Sequence, residues 1–305
     1  MRPLRAARVW LEAPVPQSER TRYRLGRSEP EDVWRRATRL ASLRRSLARR
    51  APSPEKWLYL LGLRRADALP LPDLLCIGAQ KAASGWLHAN LARHPDAFVA
   101  PGVKEVHYFD FLFHEPLAAY AELFAAGRGK VKCDVTPNYG RLRPARIRFV
   151  RRVMPGVRLV FLMRHPVERA WSQAVMDLAT RAGRALEEVP RAEWLAHFRA
   201  ASNRRNGHYG AMLDAWLRHF PADQLLVGFV EEVRERPRAL LARVFAHAGL
   251  DSDVPEAYAA AHERVAAGPG APLPAELRAE LAPLFADQVR RIAARFGGPA
   301  LGWER

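Results

Sequence analysis

The chain has 305 residues, 49% of them hydrophobic and 27% charged, enough apolar surface for a real core and too balanced for a disordered polymer or a membrane bundle. Its formal net charge is +17. Residues 1–70 hold 17 basic residues, Lys56 and 16 arginines, against 7 acidic ones, so +10 of that charge lies before residue 71.

The N-terminal "MRPLRAARVWLEAPVPQ" carries positive charge but no uninterrupted apolar run and no small-residue cleavage site. No stretch reaches the roughly 18 consecutive apolar residues of a spanning helix, so the expected location is cytoplasmic. In "SEPEDVWRRATRLASLRRSLARR", Ser28 and Glu31 have capping-box spacing and Pro30 stands in the first turn, which predicts a helix over residues 28–50. Trp34, Ala37, Leu40, Ala41 and Leu47 recur at helical spacing among arginines. Such a helix either makes peripheral contact with an anionic surface, membrane or nucleic acid, or packs its apolar stripe on the main domain. The packing reading is the simpler one. Residues 1–70 are therefore expected to be a basic, partly helical extension, and residues 71–305 the main domain.

From residue 71 the pattern changes. The apolar runs "LLCIGA", "VKCDV", "RLVFLM" and "LLVGFV" are bounded by turn residues. Helix-period segments such as "AAYAELFAAG", "VERAWSQAVMDLATR" and "RALLARVFAHAGL" separate them. Strands alternating with helices predict an α/β domain, a mostly parallel central sheet with helices on both faces. In such sheets ligands bind beyond the carboxyl ends of the strands. Cys76 and Cys133 fall inside two of the strand-like runs without paired spacing, so they read as buried thiols and no metal site is expected.

Two strand-to-helix junctions carry anion chemistry. In "LLCIGAQKAASGWLHANLARHP" a strand over 74–78 feeds a loop of small residues around Lys81 and then a helix starting near Ser84. Backbone N–H groups of small residues approach an anion closely, and a helix N-terminus adds roughly half a positive charge. The loop is not a Walker A sequence, because Lys81 comes three residues before Ser84 rather than directly before it. In "RLVFLMRHPVERAWSQ", Arg164 stands just past a strand and Ser172 eight residues on, in a helix that Pro166 helps to start. Arg164 can fork onto a phosphate while the Ser172 hydroxyl adds a donor to the same group. For a general base, "KEVHYFD" offers Glu105, His107 and Asp110. Alternation in an extended segment would set Glu105 and His107 on one face and Lys104 opposite, with Asp110 as a cap for the next helix. Lys132 and Asp134 read either as acceptor-cleft residues or as a surface salt bridge.

"IGAQKAASGWL" resembles the 5′-phosphosulfate loop, and "RHPVERAWS" the 3′-phosphate motif, of sulfotransferases that use 3′-phosphoadenosine 5′-phosphosulfate (PAPS). "KEVHYFD", "DVTPNY" and "GHYGAMLDAWLRHFPADQLLVGFVEE" resemble the family's intervening segments in the expected order, the first being more similar to the carbohydrate-modifying and bacterial branch. The resemblance spans roughly residues 72–305. It implies the P-loop-like sulfotransferase fold, with Lys81 on the sulfuryl and bridging oxygens and donors from Ala82, Ala83, Ser84 and Gly85 around the 5′-phosphate. It further implies Trp86 against adenine, Arg164 and Ser172 on the 3′-phosphate, and Glu105 as base with His107 as helper or alternative. Arg264, in "HERVAAG", is a candidate for the late cofactor-closing loop. The sequence departs from the family pattern at Gly85, where a hydroxyl or basic residue is frequent, and at Ala83, where a glycine is. The activity implied is sulfuryl transfer from PAPS, without a metal, to a hydroxyl or amine of a glycan, glycolipid or natural product. A polyanion or nucleic-acid binder using the basic extension is an alternative, although no nucleic-acid module is visible. A P-loop-like nucleotide kinase is another, disfavoured by the lysine–serine spacing.

Overall fold

The computed structural model of the protein describes residues 54–263, 265 and 270–304. The helix expected over residues 28–50 and the candidate Arg264 lie outside the described residues.

The strands are β1 (Leu74–Gly78), β2 (Ala97–Val99), β3 (Val131–Val135), β4 (Arg158–Met163) and β5 (Leu225–Phe229). They form a five-stranded parallel sheet in the order β2-β3-β1-β4-β5. The four apolar runs are β1, β3, β4 and β5. The short edge strand β2 was not anticipated, because three residues carry no periodicity to read. Every residue of β1 is buried, and so is Leu159–Met163 of β4, which requires cover on both faces of the sheet and explains why these strands read as continuous apolar runs.

In chain order the helices are α1 (Pro54–Leu60), α2 (Ser84–Leu91), α3 (Leu117–Glu122), α4 (Pro144–Val153), α5 (Pro166–Ala174), α6 (Arg191–Arg199) and α7 (Ala201–Asn206). They continue with α8 (Tyr209–Leu217), α9 (Val230–Glu235), α10 (Pro237–Ala248), α11 (Ala275–Leu281) and α12 (Ala286–Phe296). Helix α2 packs on β2 and β3, α10 on β4 and β5, and α8 on α4 and α12. A second apolar cluster, with Trp171, Trp194, Phe198, Leu281 and Phe285, joins α5, α6 and α11 beside the main core.

Helix α1 is tied to the domain. Its Lys56 is wholly buried and donates to the Glu115 carbonyl at 2.5 Å, with its ammonium 4.9 Å from the Phe113 ring centroid. Burial pulls the Lys56 pKa down to about 8. Arg152 Nε of α4 in turn donates to the Tyr59 carbonyl at 2.8 Å.

One element departs from its expected form. The helix-period segment 167–181 is α-helical only to Ala174; Val175–Ala179 forms a π-helical turn and Thr180–Ala182 a 3₁₀ turn. Wide turns of this kind re-aim side chains, and this one lies at the ligand end of the sheet. The chain runs from β1 to β2 and β3 on one side and crosses to β4 and β5 on the other. The order therefore reverses around β1, and a crevice opens beyond its carboxyl end next to β4.

Candidate functional site

The β1–α2 loop sits at that crevice. Lys81 and Ala83 both have a left-handed backbone with φ 66°, a conformation that turns the chain sharply enough to bring α2 back against the sheet. Ser84 and Gly85 at the start of α2 line a cavity of about 630 Å³, together with Gln80, Lys81 and Ala83. Ala82 does not join them: it is fully buried and its N–H donates to the Ala79 carbonyl at 3.2 Å. Lys81 Nζ lies 3.5 Å from Met176 Sδ, a soft and weak partner, and makes no ion pair among the described residues. Burial lowers the Lys81 pKa, and the neighbouring cations Lys104 and Arg164 add to the effect.

The β4–α5 junction supplies the facing wall. Pro166 begins α5, and His165 Nδ1 accepts the Val167 N–H at 3.2 Å as a cap. This fixes Arg164 at the strand end and Ser172 two turns into the helix, both lining the same cavity. Arg164 is held loosely by Glu168 at 3.8 Å, and its buried Nε has no hydrogen-bond partner among the described residues. A buried guanidinium N–H left open is costly without a ligand.

The cavity is cationic. Among the described residues, Lys81, Lys104, Arg164, Arg181 and Arg234 line it against the carboxylates of Glu105 and Glu263, five charges against two. Trp86 borders it, 3% exposed, with its indole N–H donating to the Ala261 carbonyl at 2.8 Å. Ala261, His262, Glu263 and Val265, the neighbours of the undescribed Arg264, close that side.

Glu105 also lines the cavity, while His107 stands behind it. His107 Nε2 is 3.2 Å from Glu105 Oε2 and its Nδ1 is 2.8 Å from Asp110 Oδ2. Burial alone would lower the His107 pKa, but hydrogen bonds to Asp110 and Glu105 push it up to about 10. Burial works against ionisation of Glu105 too, yet His107 and Lys104 outweigh it and hold the carboxyl below its ordinary value. The segment is not an alternating strand: His107 has φ 56°, and Lys104 lies on the cavity side, 3.6 Å from Glu105. Asp110 caps no helix. It accepts from His107, from Asn138 Nδ2 at 2.5 Å and from the Phe111 N–H at 2.8 Å.

Behind this segment is a buried scaffold. Asp134 accepts from Thr136, Tyr120 and Tyr139 at 2.6, 2.8 and 2.9 Å. Thr136 and Tyr139 accept the backbone N–H groups of Val106 and Tyr108, each at 2.9 Å. Burial pushes the Asp134 carboxyl up to about 6 in spite of its three donors. Asp134 therefore aims Glu105 without facing the cavity, and Lys132 pairs with Asp73 at 2.6 Å, away from the site.

Sequence reasoning missed Gln80, Lys104, Gln173, Arg181 and Arg234 as lining residues. Arg234 sits on the helix that follows β5, a strand-to-helix position that sheet topology alone singles out. Arg181 depends on the π-helical turn, which left no signal.

Residues 111–254 match a model described as the sulfotransferase family. The chain is 31% identical over 196 residues to mouse (Mus musculus) heparan sulfate glucosamine 3-O-sulfotransferase 3B1, covering 61% of this chain and 48% of that protein. It is 30% identical over 193 residues to human (Homo sapiens) heparan sulfate glucosamine 3-O-sulfotransferase 6, covering 59% of this chain and 52% of that protein. The chain thus spans about half the length of the curated relatives it matches. A sulfotransferase structure from Alicyclobacillus acidocaldarius superposes with a TM-score of 0.62 at 24% identity, over 77% of this chain and 99% of that one, a likeness of fold. The β1–α2 and β4–α5 junctions thus meet at the reversal point of a parallel sheet, in a chain that resembles sulfotransferases in sequence over residues 111–254 and in fold.

Proposed function

We propose that this protein transfers a sulfuryl group from PAPS to a hydroxyl of a glycan. The observation that carries the reading is the convergence of Lys81, Arg164, Ser172 and Glu105 on one cavity with five cations against two carboxylates. The open Nε of Arg164 and the surplus of three positive charges fit a nucleotide bearing a 3′-phosphate of about two negative charges and a 5′-phosphosulfate. The glycan half of the proposal is supported by the names of the matched relatives, which are heparan sulfate glucosamine sulfotransferases.

When bound, PAPS supplies an activated sulfuryl group whose transfer needs in-line positioning and stabilisation of the leaving phosphate. Lys81, beside the α2 N-terminus, would hold the phosphosulfate end and stabilise the charge that builds on the leaving phosphate. Arg164 and Ser172 would hold the 3′-phosphate, and Trp86 would border the adenine. Glu105 would take the proton of the acceptor hydroxyl, the acceptor oxygen replacing the bridging phosphate oxygen on sulfur. His107, already protonated, holds the Glu105 carboxylate in place and has no free nitrogen with which to act as base.

Calorimetric titration with 3′-phosphoadenosine 5′-phosphate, with AMP, and with the Arg164→Ala variant tests the donor half. Tight binding that requires both the 3′-phosphate and Arg164 is expected. Equal, weak binding of the two nucleotides to wild type and variant would refute the assignment.

A further inference from the structure

The two anion-binding junctions are joined by a buried amide outside the sequence motifs. Asn206, at the end of α7, is 2% exposed. Its Oδ1 accepts from Arg141 NH1 at 2.7 Å, and its Nδ2 donates to Gln80 Oε1 and to Gln173 Oε1, each at 2.9 Å. Gln80 belongs to the β1–α2 loop, directly before Lys81, and Gln173 follows Ser172 on α5; both line the cavity. One side chain thus ties the Lys81 loop to the helix that carries Ser172.

The chemistry permits one arrangement. A guanidinium only donates, so Arg141 obliges Asn206 to present its oxygen there and its two N–H groups to the glutamines. Each glutamine must then offer its carbonyl oxygen, which sets the orientation of both amides at the cavity wall. Gln173 Oε1 is held from the other side by Arg169 NH1 at 2.6 Å, and Arg169 NH2 reaches the Asn203 carbonyl at 2.8 Å. Asn203 and Asn206 are spaced i, i+3 on one face of α7, so a short helix grips both α5 and the loop. Aspartate at 206 lacks the two donors, and glutamine is a methylene too long.

We propose that Asn206 is a positioning residue for the donor site, holding the Lys81 loop at a fixed distance from Ser172 through Gln80 and Gln173. The inference rests on the reading of the cavity as a PAPS site for its binding readout, and on the hydrogen-bond geometry alone for its exchange readout.

The test uses the full chain and the variants Asn206→Asp, Asn206→Ala, Gln80→Ala and Asn206→Ala with Gln80→Ala. Asn206→Asp keeps the Arg141 contact but replaces the donors with an acceptor and adds a negative charge, Asn206→Ala removes the amide without adding charge, and Gln80→Ala removes the loop-side acceptor. Hydrogen exchange in the nucleotide-free protein should be about tenfold faster in the 76–84 segment of Asn206→Asp, with the α10 segment unchanged. The dissociation constant for 3′-phosphoadenosine 5′-phosphate should rise about tenfold, and the double variant should be no worse than Gln80→Ala if Asn206 acts through it. Exchange that rises equally everywhere, or loop exchange and nucleotide affinity that both stay at wild-type values, would make Asn206 a purely structural residue and overturn the proposal. If wild type binds no nucleotide, the functional reading falls and the loop exchange alone decides the role of Asn206.

Discussion

His107 Nε2 lies 3.2 Å from Glu105 Oε2, and this contact divides the labour between the two candidate bases. With Asp110 against its other nitrogen, the ring satisfies both carboxylates only as an imidazolium. Its folded-state pKa of about 10 is above the ordinary histidine value of 6.5. The stability that this charge contributes is therefore present in full below pH 6.5 and lost as pH rises through about 10. His107→Ala should be less stable than wild type by about 2 kcal/mol at pH 6, with the gap closing toward pH 10. Urea unfolding at both pH values checks this; equal pH slopes for the two proteins would mean that His107 is not charged in the fold.

Under the proposed function, Glu105→Gln removes the proton acceptor and leaves the donor site intact. Sulfuryl transfer should fall by about 10²–10⁴-fold, the usual contribution of a general base, while affinity for 3′-phosphoadenosine 5′-phosphate stays within about twofold of wild type. A variant that retains wild-type turnover would move the base elsewhere.

How legible each part was depends on how local its cause is. The strand–loop–helix passage around Lys81 and the Arg164–Pro166 junction are written in consecutive residues: an apolar run, small residues, a proline at the first turn. Arg181 and Arg234 carry no such mark among 44 arginines. Their place in the cavity depends on the π-helical turn at Val175–Ala179 and on the crossing of β5 to the far side of β4. Asp134 shows the same limit. Beside Lys132 it reads as an acceptor-cleft residue or half of a surface salt bridge, but three hydroxyls from Thr136, Tyr120 and Tyr139 replace its water, and no spacing rule pairs residues that only the fold brings together. The basic residues before Pro54 lie outside the described residues.

Gly78, the last residue of β1, has no room for a side chain. A Cβ there would stand 2.2 Å from Phe161 Cε2, and Phe161 is itself fully buried and packed edge-on against Tyr209. Gly78→Ala should destabilise the protein by about 1–3 kcal/mol, the range for an overpacked core. Adding Phe161→Leu should recover part of that loss, because it removes the ring edge that the methyl meets. Chemical denaturation of the single and double variants measures both; a Gly78→Ala protein as stable as wild type would show that the ring has space to shift.

Ala83 presents the opposite case, a side chain where the backbone favours none. Its φ of 66° and ψ of 21° lie in the left-handed region, where the Cβ of an L-residue crowds the following carbonyl at a cost of about 1 kcal/mol. Glycine relieves that crowding but adds freedom to the unfolded chain, so the net gain is a fraction of the strain. Ala83→Gly should stabilise the protein by about 0.5 kcal/mol and raise its melting temperature by about 1–2 °C. Ala83→Val, with two heavy atoms on Cβ, should lower it by more than that. Differential scanning calorimetry on the three proteins orders them glycine above alanine above valine. Melting of Ala83→Gly at or below wild type would mean that unfolded-chain entropy, rather than Cβ crowding, governs this position, and that the loop keeps Lys81 in place without storing strain at its neighbour.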